Sequence, residues 1–235
     1  SAGSINVVIP HYAYARSDKK DAPRISIGGR LVADLIGAAG ATRVVTMALH
    51  AEQGHGFFSV PVVHLSALPT LAQHFLDTMD LSNGVVVSPD FGNAKPAGSF
   101  ARMLGVGLAA GSKRRQTDES VIIDTIVGDV AGKDVIVLDD EIATAGSIVA
   151  LIDKICEYGV NSVRVACTHG LFTGKAPERL NACEAISEIV TTNTVPQTDA
   201  VDKLTVLSVA PLFAEAIKRI HSAESVSRLF SDEDT

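Results

Sequence analysis

Apolar and polar positions follow two alternating rhythms along this chain. Short, nearly unbroken β-branched runs read as strands: Val7-Val8-Ile9, Val44-Val45-Thr46-Met47, Val85-Val86-Val87, Val135-Ile136-Val137-Leu138 and Val163-Arg164-Val165-Ala166. Stretches of helical period lie between them, from Ile27 to Ala39, around Phe100–Leu104 and from about Ala145 to Tyr158. Strands interleaved with helices predict an α/β chain. Strands that are apolar on both faces predict mainly parallel sheets flanked by helices.

The pattern also repeats. Gly40-Ala41-Thr42-Arg43-Val44-Val45-Thr46-Met47-Ala48-Leu49-His50-Ala51 echoes Gly159-Val160-Asn161-Ser162-Val163-Arg164-Val165-Ala166-Cys167-Thr168-His169-Gly170, each reading glycine stop, strand, histidine. One large unit used twice predicts two similar domains, with a boundary near Pro61–Pro69. Residues 1–65 are then the C-terminal part of a first domain and 66–212 a second. Residues 213–235 are a helix packing back on the first, with a solvated acidic tail, Ser231-Asp232-Glu233-Asp234-Thr235. Ser1-Ala2-Gly3-Ser4 runs straight into the strand Ile5–Ile9 with no basic leader, so an N-terminal piece of the first domain is expected to be missing.

Composition narrows the function. A length of 235 residues suits one large or two small domains, and 46% hydrophobic with 20% charged residues is globular. No apolar run approaches the ~18 residues of a membrane span. The net charge of −7, from 27 acidic and 20 basic residues, argues against nucleic acid or an anionic membrane as partner, so any anion site must be local. Cys156, Cys167 and Cys183 form no C-x-x-C pair and predict reduced, buried, inert thiols in the cytoplasm.

One segment concentrates chemistry. Val135-Ile136-Val137-Leu138-Asp139-Asp140-Glu141-Ile142-Ala143-Thr144-Ala145-Gly146-Ser147 is a strand delivering two carboxylates, then a small-residue turn into a helix. Unpaired N–H groups at the helix start, with the positive end of its dipole, suit an anion; Gly146 permits close approach, and Thr144 and Ser147 add hydroxyls. Asp139 and Asp140 at the strand's C-terminal edge suit sugar hydroxyls or a cation. Phosphate beside carboxylates points to a phosphorylated sugar; the alternative is an ordinary βα turn with acidic N-caps.

This strand, acid pair and turn resemble the PRPP-binding motif shared by type I phosphoribosyltransferases and ribose-phosphate pyrophosphokinases. Tyr14-Ala15-Arg16-Ser17-Asp18-Lys19-Lys20-Asp21, Thr46–Ala51 with Gly56-Phe57-Phe58, Ser88-Pro89-Asp90, Lys113-Arg114-Arg115 and Thr168-His169-Gly170 are similar to the pyrophosphokinase segments, in the same order. The resemblance runs on through Ala214-Glu215-Ala216-Ile217 and Glu224-Ser225-Val226-Ser227. It implies two phosphoribosyltransferase-like domains and transfer of the pyrophosphoryl group of Mg-ATP to the 1-hydroxyl of ribose 5-phosphate, giving PRPP and AMP.

By the same resemblance, Lys113 and Arg115 are the catalytic cations, on a basic loop bounded by Gly111 and followed by Gln116-Thr117-Asp118-Glu119. Arg16, Asp21 and His50 meet ATP, and His50 with Asp90 serves Mg²⁺. Asp139, Asp140, Ala143, Thr144, Ala145, Gly146 and Ser147 hold ribose 5-phosphate, while His169 is structural. Self-association as a homodimer or homohexamer is implied. Departures from the family pattern are Ser17 for glutamine, Ala48 for an acid, Arg24-Ile25-Ser26-Ile27-Gly28 for Arg-x-Pro-Ile-Ser/Thr, Asn93 for glycine, Pro96 for arginine, Ala143 for an acid and Ser147 for threonine. They leave open a non-catalytic regulatory subunit. A phosphoribosyltransferase would explain the acid-pair turn but not Lys113–Arg115, Arg16 or His50.

Overall fold

The computed structural model describes residues 2–20, 23–115 and 121–229. Asp21, Gln116-Thr117-Asp118-Glu119 and the acidic tail lie outside the described residues. The chain divides into two compact units, one from residues up to Ala67 together with those from Ala210 onward, the other Leu68–Val209.

The first unit holds a parallel three-stranded sheet, β1 (Asn6–Ile9), β2 (Arg43–Met47) and β3 (Val62–Leu65), in that order. Helix α1 (Gly28–Ala38) joins β1 to β2, a 3-10 turn Glu52–Phe57 precedes β3, and α6 (Ala210–His221) belongs to the same unit. Central β2 is buried at Val44, Val45, Thr46 and Met47, because a β-branched run with neighbours on both sides has no face left for water. Gly40, at φ +97, turns the chain between α1 and β2, a conformation that favours glycine.

The second unit is a seven-stranded sheet in the order β10 (Leu204–Leu207), β9 (Ile186–Thr192), β8 (Ser162–Gly170), β7 (Asp134–Ile142), β4 (Gly84–Ser88), β5 (Gly107–Arg115) and β6 (Val121–Val127). All pairings are parallel except β5 with β6. Helices α2 (Leu68–Thr78), α3 (Ala94–Leu104), α4 (Gly146–Cys156) and α5 (Ala176–Ala182) complete it. Two apolar layers result. Val85, Val87, Val135, Val137, Val163 and Val165 face Ile148, Leu151, Ile152 and Ile155 of α4. Val86, Ile136, Leu138, Ala166 and Val190 face Leu71 and Phe75 of α2 and Phe100 and Leu104 of α3. The period-2 alternation within each strand feeds both layers. The α/β architecture with mainly parallel sheets is the one the sequence predicts.

Two expectations are corrected. The cysteines are not uniformly buried: Cys167 is, Cys183 is half-buried and Cys156 is exposed. The acid pair lies toward the carboxyl end of its strand, as the sequence predicts, and β7 runs on to Ile142, pairing Asp139 with Cys167 and Glu141 with His169. Lys113–Arg115 are not loop backbone. They form the end of β5, opposite Ile123, Ile122 and Val121 of β6, beyond an irregularity at Ser112/Lys113. Among the described residues, no helix is long and apolar enough to cross a membrane.

Candidate active site

The order of the large sheet fixes where a ligand can bind. From β4 the chain moves outward to β5 and β6, then returns to place β7 on the other side of β4 and continues through β8, β9 and β10. The connections therefore leave β4 and β7 in opposite directions, which opens a crevice at their carboxyl ends. Ser88 and Asp90 lie at that end of β4, and Asp139 and Asp140 at that end of β7.

The turn after β7 is held by the segment that runs from β8 into α5. The Ile142 carbonyl accepts from the N–H groups of Leu171 and Phe172 at 3.0 and 3.1 Å, and the Ala143 carbonyl from Thr173 N–H at 2.8 Å. Arg179 of α5, a residue that no sequence motif singles out, donates from Nη1 to the Thr144 carbonyl at 2.8 Å. Ala145 then adopts a left-handed conformation, φ 60, ψ 3, and α4 begins with no side-chain cap. Such a turn, with the helix dipole behind it, is a backbone nest for an anion. A Cβ on Gly146 would stand 3.3 Å from Arg179 Nη1, so glycine here answers a need for space. The structure thus brings Ala143, Thr144, Ala145, Gly146 and Ser147 together as one cradle next to the acid pair.

The carboxylates crowd one another. Asp139 accepts from Asp140 N–H at 2.9 Å, and Asn93 Nδ2 lies 3.4 Å from both Asp139 Oδ1 and the Leu138 carbonyl. Burial raises the Asp139 carboxyl well above the usual carboxylate range, and the charges of Asp140 and then Asp90 add to it. Asp90 itself caps the turn Phe91–Asn93, accepting from Asn93 N–H at 3.1 Å. Asp90, Asp139 and Asp140 carry the carboxylate oxygens that Mg²⁺ prefers, but among the described residues no group of three or more His, Cys, Asp or Glu side chains is placed to hold a metal ion. Gly111 brings the β5 arm in, because a Cβ there would sit 2.9 Å from the Pro89 carbonyl. Its backbone therefore runs beside the Asp90 turn, and Lys113 and Arg115 continue that strand.

In the first unit the other predicted residues sit on two turns. Arg16 is exposed on the turn Tyr12–Ser17, closed by Ala15 N–H to the Tyr12 carbonyl and Ser17 N–H to the Tyr14 carbonyl. Tyr12, buried, donates its hydroxyl to the Gly29 carbonyl at 2.7 Å, and burial pushes its pKa up to about 12. Ser17 acts on α1: its hydroxyl accepts from Gly28 N–H at 2.9 Å and donates to the Ser26 carbonyl, while its carbonyl accepts from Gly29 N–H. Two N-terminal donors of α1 that lack helical partners are satisfied this way. His50 is exposed after β2, beyond Ala48 at φ 43. His169 instead lies buried, with Nδ1 2.9 Å from Thr194 Oγ1.

Comparison with known proteins is consistent with both units. Residues 1–40 match the N-terminal domain of ribose phosphate pyrophosphokinase, and residues 122–231 the phosphoribosyl synthetase-associated domain. A putative ribose-phosphate pyrophosphokinase of Streptomyces coelicolor is 61% identical over 98% of this chain and 73% of its own length. The chain belongs to the ribose-phosphate pyrophosphokinase family. The ribose-phosphate pyrophosphokinase of Deinococcus radiodurans is 52% identical over 98% of this chain and 74% of its own. The crystal structure of phosphoribosylpyrophosphate synthetase from Mycobacterium smegmatis superposes with a TM-score of 0.87 at 41% identity, covering 95% of this chain and 73% of that one.

Within this ribose-phosphate pyrophosphokinase, several departures acquire physical roles. Ser17 stitches α1 to the Arg16 turn. Asn93 reaches toward the acid pair. Pro96 falls in the first turn of α3, where a missing N–H breaks no helical bond. The structure gives no reason for Ala48 in place of an acid.

Proposed function

We propose that the chain transfers the β,γ-diphosphoryl group of Mg-ATP to O1 of ribose 5-phosphate in the cytoplasm, releasing PRPP and AMP. The observation that carries this reading is the backbone cradle beside two aspartates at the switch point of the large sheet, in a member of this family. O1 attacks the β-phosphorus in line, the bond to the α-phosphate bridging oxygen breaks, AMP leaves with that oxygen, and the O1 proton passes to solvent. The 5-phosphate is taken by the N–H groups and hydroxyls of Ala143–Ser147, and Asp139 and Asp140 accept from ring hydroxyls, fixing O1 for attack. Lys113 and Arg115 stabilise the charge that develops on the migrating diphosphate. Arg16 binds ATP phosphate with its planar fork and Asp21 the nucleoside side.

Mg²⁺, when bound, neutralises ATP phosphate oxygens. Asp90 would hold it through oxygen, and His50 through a coordinated water, since an imidazole nitrogen is a poor direct ligand for this ion. Self-association as a homodimer or homohexamer is part of the same reading, to be checked by sedimentation.

Phosphorus NMR of a mixture of protein, Mg-ATP and ribose 5-phosphate tests the reaction. AMP and PRPP are expected in equal amounts; phosphate and ADP, or no turnover, would refute the reading, and base-dependent release of pyrophosphate without ATP would replace it with phosphoribosyl transfer. Lys113→Ala should lower kcat by about three orders of magnitude with ribose 5-phosphate affinity nearly unchanged, because its contact strengthens as charge develops.

A further inference from the structure

The turn after β7 has its carbonyls on one side and its amides on the other, and the partners of those carbonyls lie on a single stretch of chain. Ile142, Ala143 and Thr144 present three successive carbonyls to Leu171, Phe172, Thr173 and Arg179, all from the end of β8 to the middle of α5. In a trans peptide the C=O of one residue and the N–H of the next point in opposite directions, and the described residues contain no cis bond. Pulling those three carbonyls toward α5 therefore turns the N–H groups of Ala143, Thr144 and Ala145 the other way. Two of the three carbonyls are held by backbone donors. The third, at Thr144, is held by a side chain, and it precedes the residue forced into the left-handed region, Ala145 at φ 60.

We infer that Arg179 is a positioning residue for the sugar-phosphate cradle, acting through the Thr144 carbonyl to aim the Ala145 N–H at the 5-phosphate. The left-handed conformation disfavours alanine, whose Cβ crowds the following carbonyl oxygen, so the peptide would tend to flip without a donor holding its carbonyl. A charged guanidinium is the stronger kind of donor for that purpose. Its placement is reinforced from both sides. Arg179 backbone N–H donates to the carbonyl of Lys175, the N-cap of α5, at 3.0 Å, and a Cβ added at Gly146 would come within 3.3 Å of Nη1. A side chain at position 146 would therefore press on the arginine that holds the turn.

This inference rests on the sugar-phosphate reading, so calorimetric binding of ribose 5-phosphate to the unaltered protein comes first; absence of binding would overturn both. Given binding, Arg179→Met keeps the apolar stem and removes the donor. It should raise the ribose 5-phosphate Kd about tenfold and leave the ATP KM within about twofold. Arg179→Lys, which keeps a cationic donor, should recover most of the loss. Gly146→Ala, whose Cβ crowds Nη1, should weaken binding too, and combined with Arg179→Met it should add less than it does alone. Thermal melts of each variant establish that the fold is intact. Unchanged ribose 5-phosphate affinity in Arg179→Met, or parallel loss of ATP and sugar phosphate affinity, would overturn the positioning role while leaving the reaction itself standing.

Discussion

Two strands of this protein end on the same local sequence pattern and reach opposite outcomes. β2 and β8 each follow a glycine and run as apolar strands toward a histidine, His50 in one and His169 in the other. β2 stops at Met47, where its partners also stop: β1 pairs as far as Ile9 with Thr46, and β3 as far as Leu65 with Met47. Ala48 then turns at φ 43, Leu49 N–H donates to His64 Nε2 at 2.8 Å, and His50 emerges exposed. β8 continues through Cys167, Thr168 and His169 because β7 remains beside it to Ile142 and β9 runs to Thr192. Thr192 and Thr194 hydroxyls both donate to the Thr168 carbonyl, closing the end of the strand over the histidine. Neighbouring strand length, not the histidine's own sequence, decides whether it is available to a ligand.

That contrast can be broken by mutation. The largest effect should come from His50→Ala, which is expected to lower kcat/KM for Mg-ATP by about a hundredfold, near 2.7 kcal/mol of transition-state stabilisation. An exposed site away from the core should move stability by no more than about 0.5 kcal/mol. His169→Ala should do the reverse, destabilising by about 2–3 kcal/mol in urea unfolding, because it leaves a cavity and removes one of the partners of the buried Thr194 hydroxyl. If both variants lose activity with intact stability, the two strand ends are equivalent and the distinction fails.

A smaller effect separates function from stability on β7, the strand that prolongs β8. The Asp139 carboxyl is raised in the folded protein, so the native state holds a proton that the unfolded chain gives up near pH 4. Stability therefore falls as pH rises from that ordinary value toward the folded one, and the penalty is complete above it. Asp139→Asn removes the term. The variant should melt higher than the parent at neutral pH, with the gap closing toward pH 4, while its ribose 5-phosphate binding is lost. A melting temperature lower at pH 7 would contradict the burial of Asp139 beside Asp140. The smallest effect is chemical: iodoacetamide at pH 8 should label Cys156 readily and spare Cys167, whose thiol burial pushes up to about 12.

The sequence carried what is local and periodic. β2, β4, β7 and α1 fall close to where apolar periodicity places them, and the acid pair with its small-residue turn is legible because residue types and spacing state its chemistry. What escaped depends on partners distant in the chain. Lys113–Arg115 read as a polar loop, yet pairing with β6 makes them strand, since the ladder satisfies backbone groups that the basic side chains say nothing about. Arg179 carries no signal of its own in the sequence, and its bond to the Thr144 carbonyl, 35 positions earlier, exists only in the fold. Ser17 reads only as a departure from glutamine, because its bonds to α1 are visible only once the turn is folded against Gly28.

The central claim is that the turn Ala143–Ser147 receives the 5-phosphate. A crystal structure with ribose 5-phosphate alone tests it without requiring turnover. The account predicts phosphate density within hydrogen-bond distance of the N–H groups of this turn, with the ring hydroxyls directed to Asp139 and Asp140. Phosphate density elsewhere, with the turn unoccupied, would contradict it.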